Sequence, residues 1–155
     1  MRRNALTILL AEDDDGHAVL VERHLRRAGV NAAITRTYDG QDALDFVRGE
    51  GTHDGRTPGG PLLVLLDIRM PRVDGVEVLR RLKASPRTSG IPVLMLTTSD
   101  NPREVARCYE LGCSLYVTKP VASDAIADVL HRLGHFLAVV TVADEATVRV
   151  GSGPA

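Results

Sequence analysis

Five short apolar runs recur along this 155-residue chain, and stretches with the periodicity of amphipathic helices separate them. The clearest runs are Thr7–Ala11 (TILLA) and Leu62–Leu66 (LLVLL), which contain almost no polar residue. A uniformly apolar strand is typical of a sheet that is covered on both faces, and strands that alternate with helices form parallel sheets with right-handed crossovers. The pattern therefore predicts an α/β fold in which helices flank one parallel sheet.

The predicted elements make five βα units in one domain, residues 1–137. The predicted strands are 7–11, 32–37, 62–66, 93–96 and 115–117, and the predicted helices are 15–28, 41–48, 76–84, 103–111 and 123–137. Residues 49–60 (GEGTHDGRTPGG) form a long polar connection before the third strand, and we expect a mobile surface loop there. Residues 138–155, which carry several valines and end in GSGPA, are treated as a C-terminal extension.

Composition excludes several classes of function. Nineteen Lys and Arg against twenty Asp and Glu give a net charge of −1, which provides no general basic field for nucleic acid or an anionic membrane. No apolar run reaches the roughly 18–20 residues of a membrane span. Cys108 and Cys113 are too few for a disulfide framework or a four-ligand zinc site. We expect a cytoplasmic protein with reduced thiols that binds neither nucleic acid nor membrane.

Polar and charged residues follow four of the predicted strands. Glu12 and Asp13 come after the first strand, Asp67 after the third, Thr97 after the fourth and Lys119 after the fifth. In a parallel sheet, the carboxyl ends of the strands meet at one edge, where open α/β sheets bind their ligands. We therefore expect these side chains to share one small pocket.

The chemistry of this residue set points to a phosphoryl group and a divalent cation. Crowded carboxylates repel each other unless a cation lies between them, and oxygen ligands favour Mg²⁺, Mn²⁺ or Ca²⁺ over zinc. A lysine ammonium and a threonine hydroxyl beside the metal would complete an electrostatic cradle for a phosphoryl group in transfer. Asp67 is the candidate nucleophile, since aspartate forms acyl phosphates.

Four motifs in this order resemble the receiver domains of bacterial two-component response regulators: LLAEDD, LLDIRMPRVDG, VLMLTTS and YVTKP. The resemblance extends from about Leu6 to about Leu137. It implies a flavodoxin-like (βα)5 fold with strand order 2-1-3-4-5. It also implies Mg²⁺-dependent transfer of a phosphoryl group from a sensor histidine kinase, or a phosphotransfer protein, to this chain. Such a domain promotes its own phosphotransfer and dephosphorylation but is not an enzyme with turnover.

The resemblance also implies a role for each residue of the pocket. Asp67 matches the phosphoacceptor, Asp13 the direct Mg²⁺ ligand, Glu12 the acid that acts through water, and Arg69 the residue whose backbone carbonyl is the third protein ligand. Thr97 matches the switch hydroxyl, Lys119 the lysine that pairs with the phosphoryl group, and Tyr116 the aromatic residue that changes rotamer on phosphorylation. Pro120 follows Lys119 as it does in the family.

A finer resemblance concerns the partners. The long loop before the third strand and the LKASPRTSGIPVLMLTTS stretch resemble short regulators that serve bacterial phytochrome photoreceptor kinases. Such regulators tend to form homodimers through the face of the fourth and fifth units and the C-terminal extension, and the apolar residues 135–140 fit that role. Arg23, Arg26 and Arg27 lie on the first helix, where receivers meet their kinases. They form either a solvated face or a docking surface for an acidic partner.

Other interpretations of the same residues exist. Glu12, Asp13, Thr98 and Ser99 could simply cap the helices that follow them. The five histidines show no metal-ligand spacing and are interpreted as surface or core-edge residues. The chain as a whole could be a pseudo-receiver scaffold that acts without phosphate, a flavin-binding module, or a phosphatase resembling the haloacid dehalogenases. Arg69 counts against the phosphatase, because that family has a second acid at this position.

Overall fold

The computed structural model describes residues 6–27, 29–119 and 132, and they form one parallel sheet with helices on its two faces. The strands are β1 (Thr7–Ala11), β2 (Ala33–Thr37), β3 (Leu62–Leu66), β4 (Val93–Thr97) and β5 (Leu115–Thr118). The α-helices are α1 (Asp15–Arg27), α2 (Gly40–Arg48), α3 (Gly75–Ala84) and α4 (Pro102–Leu111). The strand order is β2-β1-β3-β4-β5, with every pair parallel. This confirms the predicted fold class and strand order.

Alternate residues along the central strands supply two hydrophobic cores, one on each face of the sheet. Leu9 of β1 and Val64 of β3 face the core that α2, α3 and α4 cover. Their neighbours Ile8 and Leu63 face the opposite core, where α1 packs. Since side chains alternate across a strand, burial on both faces requires the unbroken apolar runs seen in the sequence.

The predicted helices and strands agree with the structure to within one residue at each end that it describes. Among these one-residue differences, the one nearest the predicted pocket is at Thr97, which is the last residue of β4 rather than the first residue after it. Pro120, the extension at 138–155 and, apart from Arg132, the predicted fifth helix at 123–137 lie outside the described residues. Among the described helices, none has the length and apolarity needed to cross a membrane.

The connection at 49–60, which the sequence predicts to be a mobile surface loop, has some regular structure and contacts α2. It contains a short 3-10 helix, Gly51–His53, and is attached to α2 by two side chains. His53 Nε2 lies 2.8 Å from the Asp42 carboxylate, and the Arg56 guanidinium stacks 4.2 Å from the centre of the Phe46 ring. Composition suggested mobility because glycine and polar residues dominate the segment; these contacts join it to the preceding helix.

Candidate functional site

The backbone of the sheet places the polar residues that follow β1 and β3 next to each other. Ala11 and Leu66, the last residues of these strands, are paired in the parallel register. The next residues continue the pairing, since the Asp67 amide donates to the Ala11 carbonyl (3.1 Å) and the Glu12 amide donates to the Thr37 carbonyl (3.0 Å). The backbone around the acids is therefore held by hydrogen bonds to the neighbouring strands.

Three carboxylates converge at this edge. Oxygen atoms of Glu12, Asp13 and Asp67 all lie within 4.8 Å of one another. Glu12 is 3% exposed and Asp67 8% exposed, whereas Asp13 faces solvent. Two buried acids beside an exposed third form a half-open, all-oxygen donor set, which suits a hard cation that keeps some of its water. The structure thus brings together the three acids that the sequence predicted to meet.

Lys119 supplies the positive charge of the pocket. Its side chain is buried, and its ammonium forms a close ion pair with the Glu12 carboxylate. The same Nζ lies 3.6 Å from Oδ2 of Asp67. Its backbone amide donates to the Thr97 carbonyl, which anchors the end of β5 to the end of β4. The ammonium is therefore within reach of any group attached to Asp67.

The electrostatics of the pocket are most evident at Glu12. Burial raises the pKa of the Glu12 carboxyl from 4.5 to about 7, and the neighbouring Asp67 carboxylate adds to this rise, while Lys119 opposes it. Burial is the largest cause of this shift, and the ammonium of Lys119 does not fully offset it. A divalent cation would relieve the remaining repulsion.

Thr97 and Tyr116 meet at the connection between β4 and α4. Thr97 is fully buried, and its hydroxyl accepts a hydrogen bond from the Ser99 amide (3.4 Å). The Tyr116 hydroxyl donates to the Ser99 carbonyl (2.7 Å). Burial raises the pKa of the Tyr116 phenol, which keeps it protonated as a donor. The backbone of Ser99 therefore contacts both predicted switch residues.

The segment after Asp67 turns sharply away from the sheet. Oδ1 of Asp67 accepts from the Ile68 amide (2.7 Å), and the Gly75 amide donates to the Ile68 carbonyl (2.7 Å). A Cβ atom at Gly75 would lie 2.0 Å from the Asp67 carbonyl oxygen, so only glycine fits there. Arg69 is exposed in this turn, two residues beyond Asp67.

Helix capping does not account for the acids and hydroxyls of the pocket. The Asp14 carboxylate caps α1 by accepting from the His17 amide (2.9 Å), and Asn101 caps α4 by accepting from the Arg103 amide (2.9 Å). α3 is capped by Asp74. Glu12, Asp13, Thr98 and Ser99 take no part in these caps, so the capping interpretation was wrong for all four.

Sequence reasoning did not identify His17 as part of the pocket. Nδ1 of His17 lies 3.1 Å from Nζ of Lys119 and 3.7 Å from the Glu12 carboxylate. A neutral imidazole can accept a hydrogen bond from the lysine, so His17 is a second partner for that ammonium. The only available signal was position, because His17 lies in the first turn of α1, whose N-terminus faces this edge of the sheet.

Comparison with known families agrees with this geometry. Residues 8–131 match the response regulator receiver domain. The chain belongs to the response regulator receiver family. Response regulator Rcp1 of Synechocystis is 37% identical over 112 residues, which cover 72% of this chain and 75% of that protein. A crystal structure of Rcp1 in its Mn²⁺-bound form has a TM-score of 0.74 at 32% identity, covering 84% of this chain and 92% of the other.

Two further receiver structures resemble this one closely. A receiver domain from Rhodospirillum rubrum is 44% identical with a TM-score of 0.74, covering 86% of this receiver and 94% of its own chain. The phosphorylated cyanobacterial phytochrome response regulator RcpA is 29% identical with a TM-score of 0.76, with the same coverage of 86% and 94%. The resemblance to phytochrome response regulators that the sequence suggested is thereby confirmed.

Proposed function

We propose that this receiver accepts a phosphoryl group on Asp67 from a histidine kinase and signals through the resulting change of its surface. The observation that carries the proposal is the convergence of three carboxylates and one buried ammonium at the carboxyl edge of the sheet. An Asp67 oxygen would attack phosphorus of the phosphohistidine. The P–N bond then breaks, and its electron pair leaves with the imidazole, which takes up a proton.

The acidic cluster fits a Mg²⁺ ion, because its donors are all oxygen atoms and lie within 4.8 Å of one another. Asp13, Asp67 and the backbone carbonyl of Arg69 would hold the ion, with Glu12 in support through water. When bound, Mg²⁺ would neutralise charge that develops on the phosphoryl oxygens. The Mn²⁺-bound form of Rcp1 supports a divalent cation in a relative of this chain.

Lys119 and Thr97 would act on the phosphoryl group itself. The Lys119 ammonium, 3.6 Å from Asp67, would move from Glu12 towards a phosphoryl oxygen, and the Thr97 hydroxyl would turn from the Ser99 amide to donate to another. Loss of the Thr97 contact would release the connection that Tyr116 also binds. The surface between β4 and α4 would then report phosphorylation.

The partner that we propose is a phytochrome-type sensor histidine kinase, with a phosphotransfer protein as the second possibility. The resemblance to RcpA supports this class of kinase. On α1, Val19 and Leu20 are 53% and 47% exposed, beside the exposed Arg23 and Arg27. An apolar pair with flanking positive charge suits the docking of a kinase helix that carries acidic residues. Homodimerisation through the fourth and fifth units is also proposed, and its predicted C-terminal part lies outside the described residues.

The test is to incubate the chain with a small acyl-phosphate donor, with and without Mg²⁺, and to measure its intact mass. We expect the gain of one phosphoryl group only when Mg²⁺ is present, and no gain for Asp67→Asn. Asp54→Asn, an exposed aspartate in the 49–60 segment, is the matched control and should be phosphorylated like the wild type. Size-exclusion chromatography of the same samples would detect a phosphorylation-dependent dimer.

Other functions give different results in the same experiment. A pseudo-receiver scaffold would gain no mass and would not bind beryllofluoride, which needs the same pocket but no transfer. A phosphatase would turn over a generic phosphomonoester, and a flavin module would purify with a yellow chromophore. Phosphorylation of Asp67→Asn at the wild-type stoichiometry would refute Asp67 as the acceptor.

A further inference from the structure

A second cavity, of about 330 Å³, lies at the amino edge of the sheet, opposite the acidic pocket. It borders Leu62, the first residue of β3, whereas Asp67 follows the last residue of that strand. At the usual rise per residue the two sites are about 16 Å apart along the strand. The end of α2, the 49–60 segment and the residues that follow α3 form its walls.

Three arginines line this cavity: Arg48, Arg56 and Arg87. Glu50 is the one acid among the lining residues, so two positive charges are left without an opposite charge in the wall. Arg87 is distant in the sequence from Arg48 and Arg56, and it joins them because the turn after α3 meets α2 and the 49–60 segment at this edge. A concentration of arginine in a concave site is typical of anion recognition.

The arginines differ in how they are held. Arg56 is fixed in place, because its Nη1 donates to the Phe46 carbonyl (2.9 Å) and its guanidinium stacks on the Phe46 ring. Among the described residues, Arg48 and Arg87 have no hydrogen-bond or ion-pair partner for their guanidinium groups. The cavity therefore combines one rigid guanidinium with two that are available to a ligand.

The rest of the lining is largely apolar. Val47, Pro58, Leu62 and Ile91 contribute aliphatic surface, and Ser85 and Thr88 contribute hydroxyl groups. Pockets of a few hundred Å³ with apolar walls and a few convergent polar groups are typical small-molecule sites. The size suits a small ligand, and the walls suit one that is more than a bare inorganic anion.

We propose that this cavity binds a small organic phosphate, one in which a phosphate monoester is attached to a ring. The two uncompensated positive charges match the dianionic monoester, and the planar guanidinium fork binds phosphate oxygens in pairs. The aliphatic wall would contact the ring, which could also stack on an arginine plane. The proposal does not depend on phosphorylation of Asp67.

The test is to titrate the chain with phenyl phosphate in the absence of Mg²⁺ and to follow the backbone amides by NMR. We expect saturable shifts at Gly59, Gly60 and Ser85. Loss of a charge-assisted hydrogen bond weakens binding by about tenfold or more, which is the effect expected for Arg87→Ala. Arg87 is exposed, so its replacement should not disturb folding, and Arg23→Ala on α1 is the matched control with unchanged affinity.

Two comparison ligands make the result decisive. Inorganic phosphate should bind more weakly than phenyl phosphate, and neutral benzyl alcohol should bind more weakly still. Equal binding of the two phosphates would refute a role for the apolar wall, and equal binding of benzyl alcohol would refute a role for the arginines. Shifts centred on Glu12 and Asp13, no saturation, or an unchanged affinity for Arg87→Ala would overturn the proposal.

Discussion

The two edges of the same sheet carry opposite charge and differ in how that charge is balanced. At the carboxyl edge, the buried ammonium of Lys119 is paired with Glu12 and lies near Asp67. At the amino edge, Arg48 and Arg87 line a cavity, and neither guanidinium forms an ion pair with a described residue. The comparison teaches that one parallel sheet can hold a pocket of paired opposite charges at one end and leave unpaired positive charge at the other.

The largest effect is expected from removing the lysine of the reaction pocket. Loss of one donor that stabilises developing charge slows a reaction by about a hundredfold or more, so Lys119→Met should slow phosphorylation by at least that factor. The rate of mass gain with a small phosphodonor and Mg²⁺ measures it. Lys83→Met is the matched control at the amino edge, where Lys83 Nζ donates to the Ile91 carbonyl (2.6 Å). Equal slowing of both variants would contradict the distinction between the edges.

The next effect concerns the backbone turn that follows Asp67. Gly75→Ala would bring a Cβ atom to 2.0 Å from the Asp67 carbonyl oxygen, so the turn must move. Overpacking of this kind costs about 1–3 kcal/mol of unfolding free energy, which urea denaturation would measure. Gly90→Ala is the control, since its Cβ atom would meet nothing within 4 Å. A Gly75→Ala variant as stable as the Gly90→Ala variant would show that the turn is not tight.

The sequence predicted correctly which acids meet at the carboxyl edge of the sheet, and there is a physical reason for this agreement. Unbroken apolar strands require a covered parallel sheet, and such a sheet brings the residues after its strands together. Glu12, Asp13 and Asp67 therefore meet as expected, and Lys119 contacts two of them. Strand periodicity fixes which residues lie at the edge, although their roles in phosphotransfer remain predictions.

What the sequence could not predict depends on contacts between side chains that are distant along the chain. His17 contacts Lys119 across 102 positions, and no spacing motif marks that pair. Over a shorter span, Arg56 contacts Phe46 and His53 contacts Asp42, and no spacing motif marks those pairs either. Such contacts depend on the rotamers and packing of loops, which hydrophobic periodicity does not encode.

A third prediction uses the raised pKa of Glu12, about 7 in the absence of a cation. Below that pH the carboxyl holds a proton that Mg²⁺ must displace or tolerate, and above it the carboxylate is ionised. Mg²⁺ affinity should therefore rise as pH increases towards 7, by at most about tenfold per pH unit for one linked proton, and should level off above it. Calorimetric titration from pH 5.5 to 8.5 measures this dependence.

The matched variant for this dependence is Glu12→Gln, which removes the titrating group but keeps the shape of the side chain. Its Mg²⁺ affinity should be lower than that of the wild type at pH 8 and should vary less between pH 5.5 and 7.5. An equally steep dependence in Glu12→Gln would assign the proton to another group of the pocket and contradict the electrostatic interpretation of Glu12.

The smallest effect is expected from a change at the amino edge on the chemistry at the carboxyl edge. Arg87 is exposed, and the length of β3 places it beyond the Debye length of about 8 Å at physiological ionic strength. The Arg87→Ala variant should therefore be phosphorylated at a rate within about twofold of the wild type, since screening leaves little of the electric field of the Arg87 charge at Asp67. The same mass assay in low and in physiological salt tests the point. If Arg87→Ala changed the rate severalfold at physiological salt, the two edges would be coupled through β3 itself, and ligand binding at the arginines would then be able to alter phosphotransfer at Asp67.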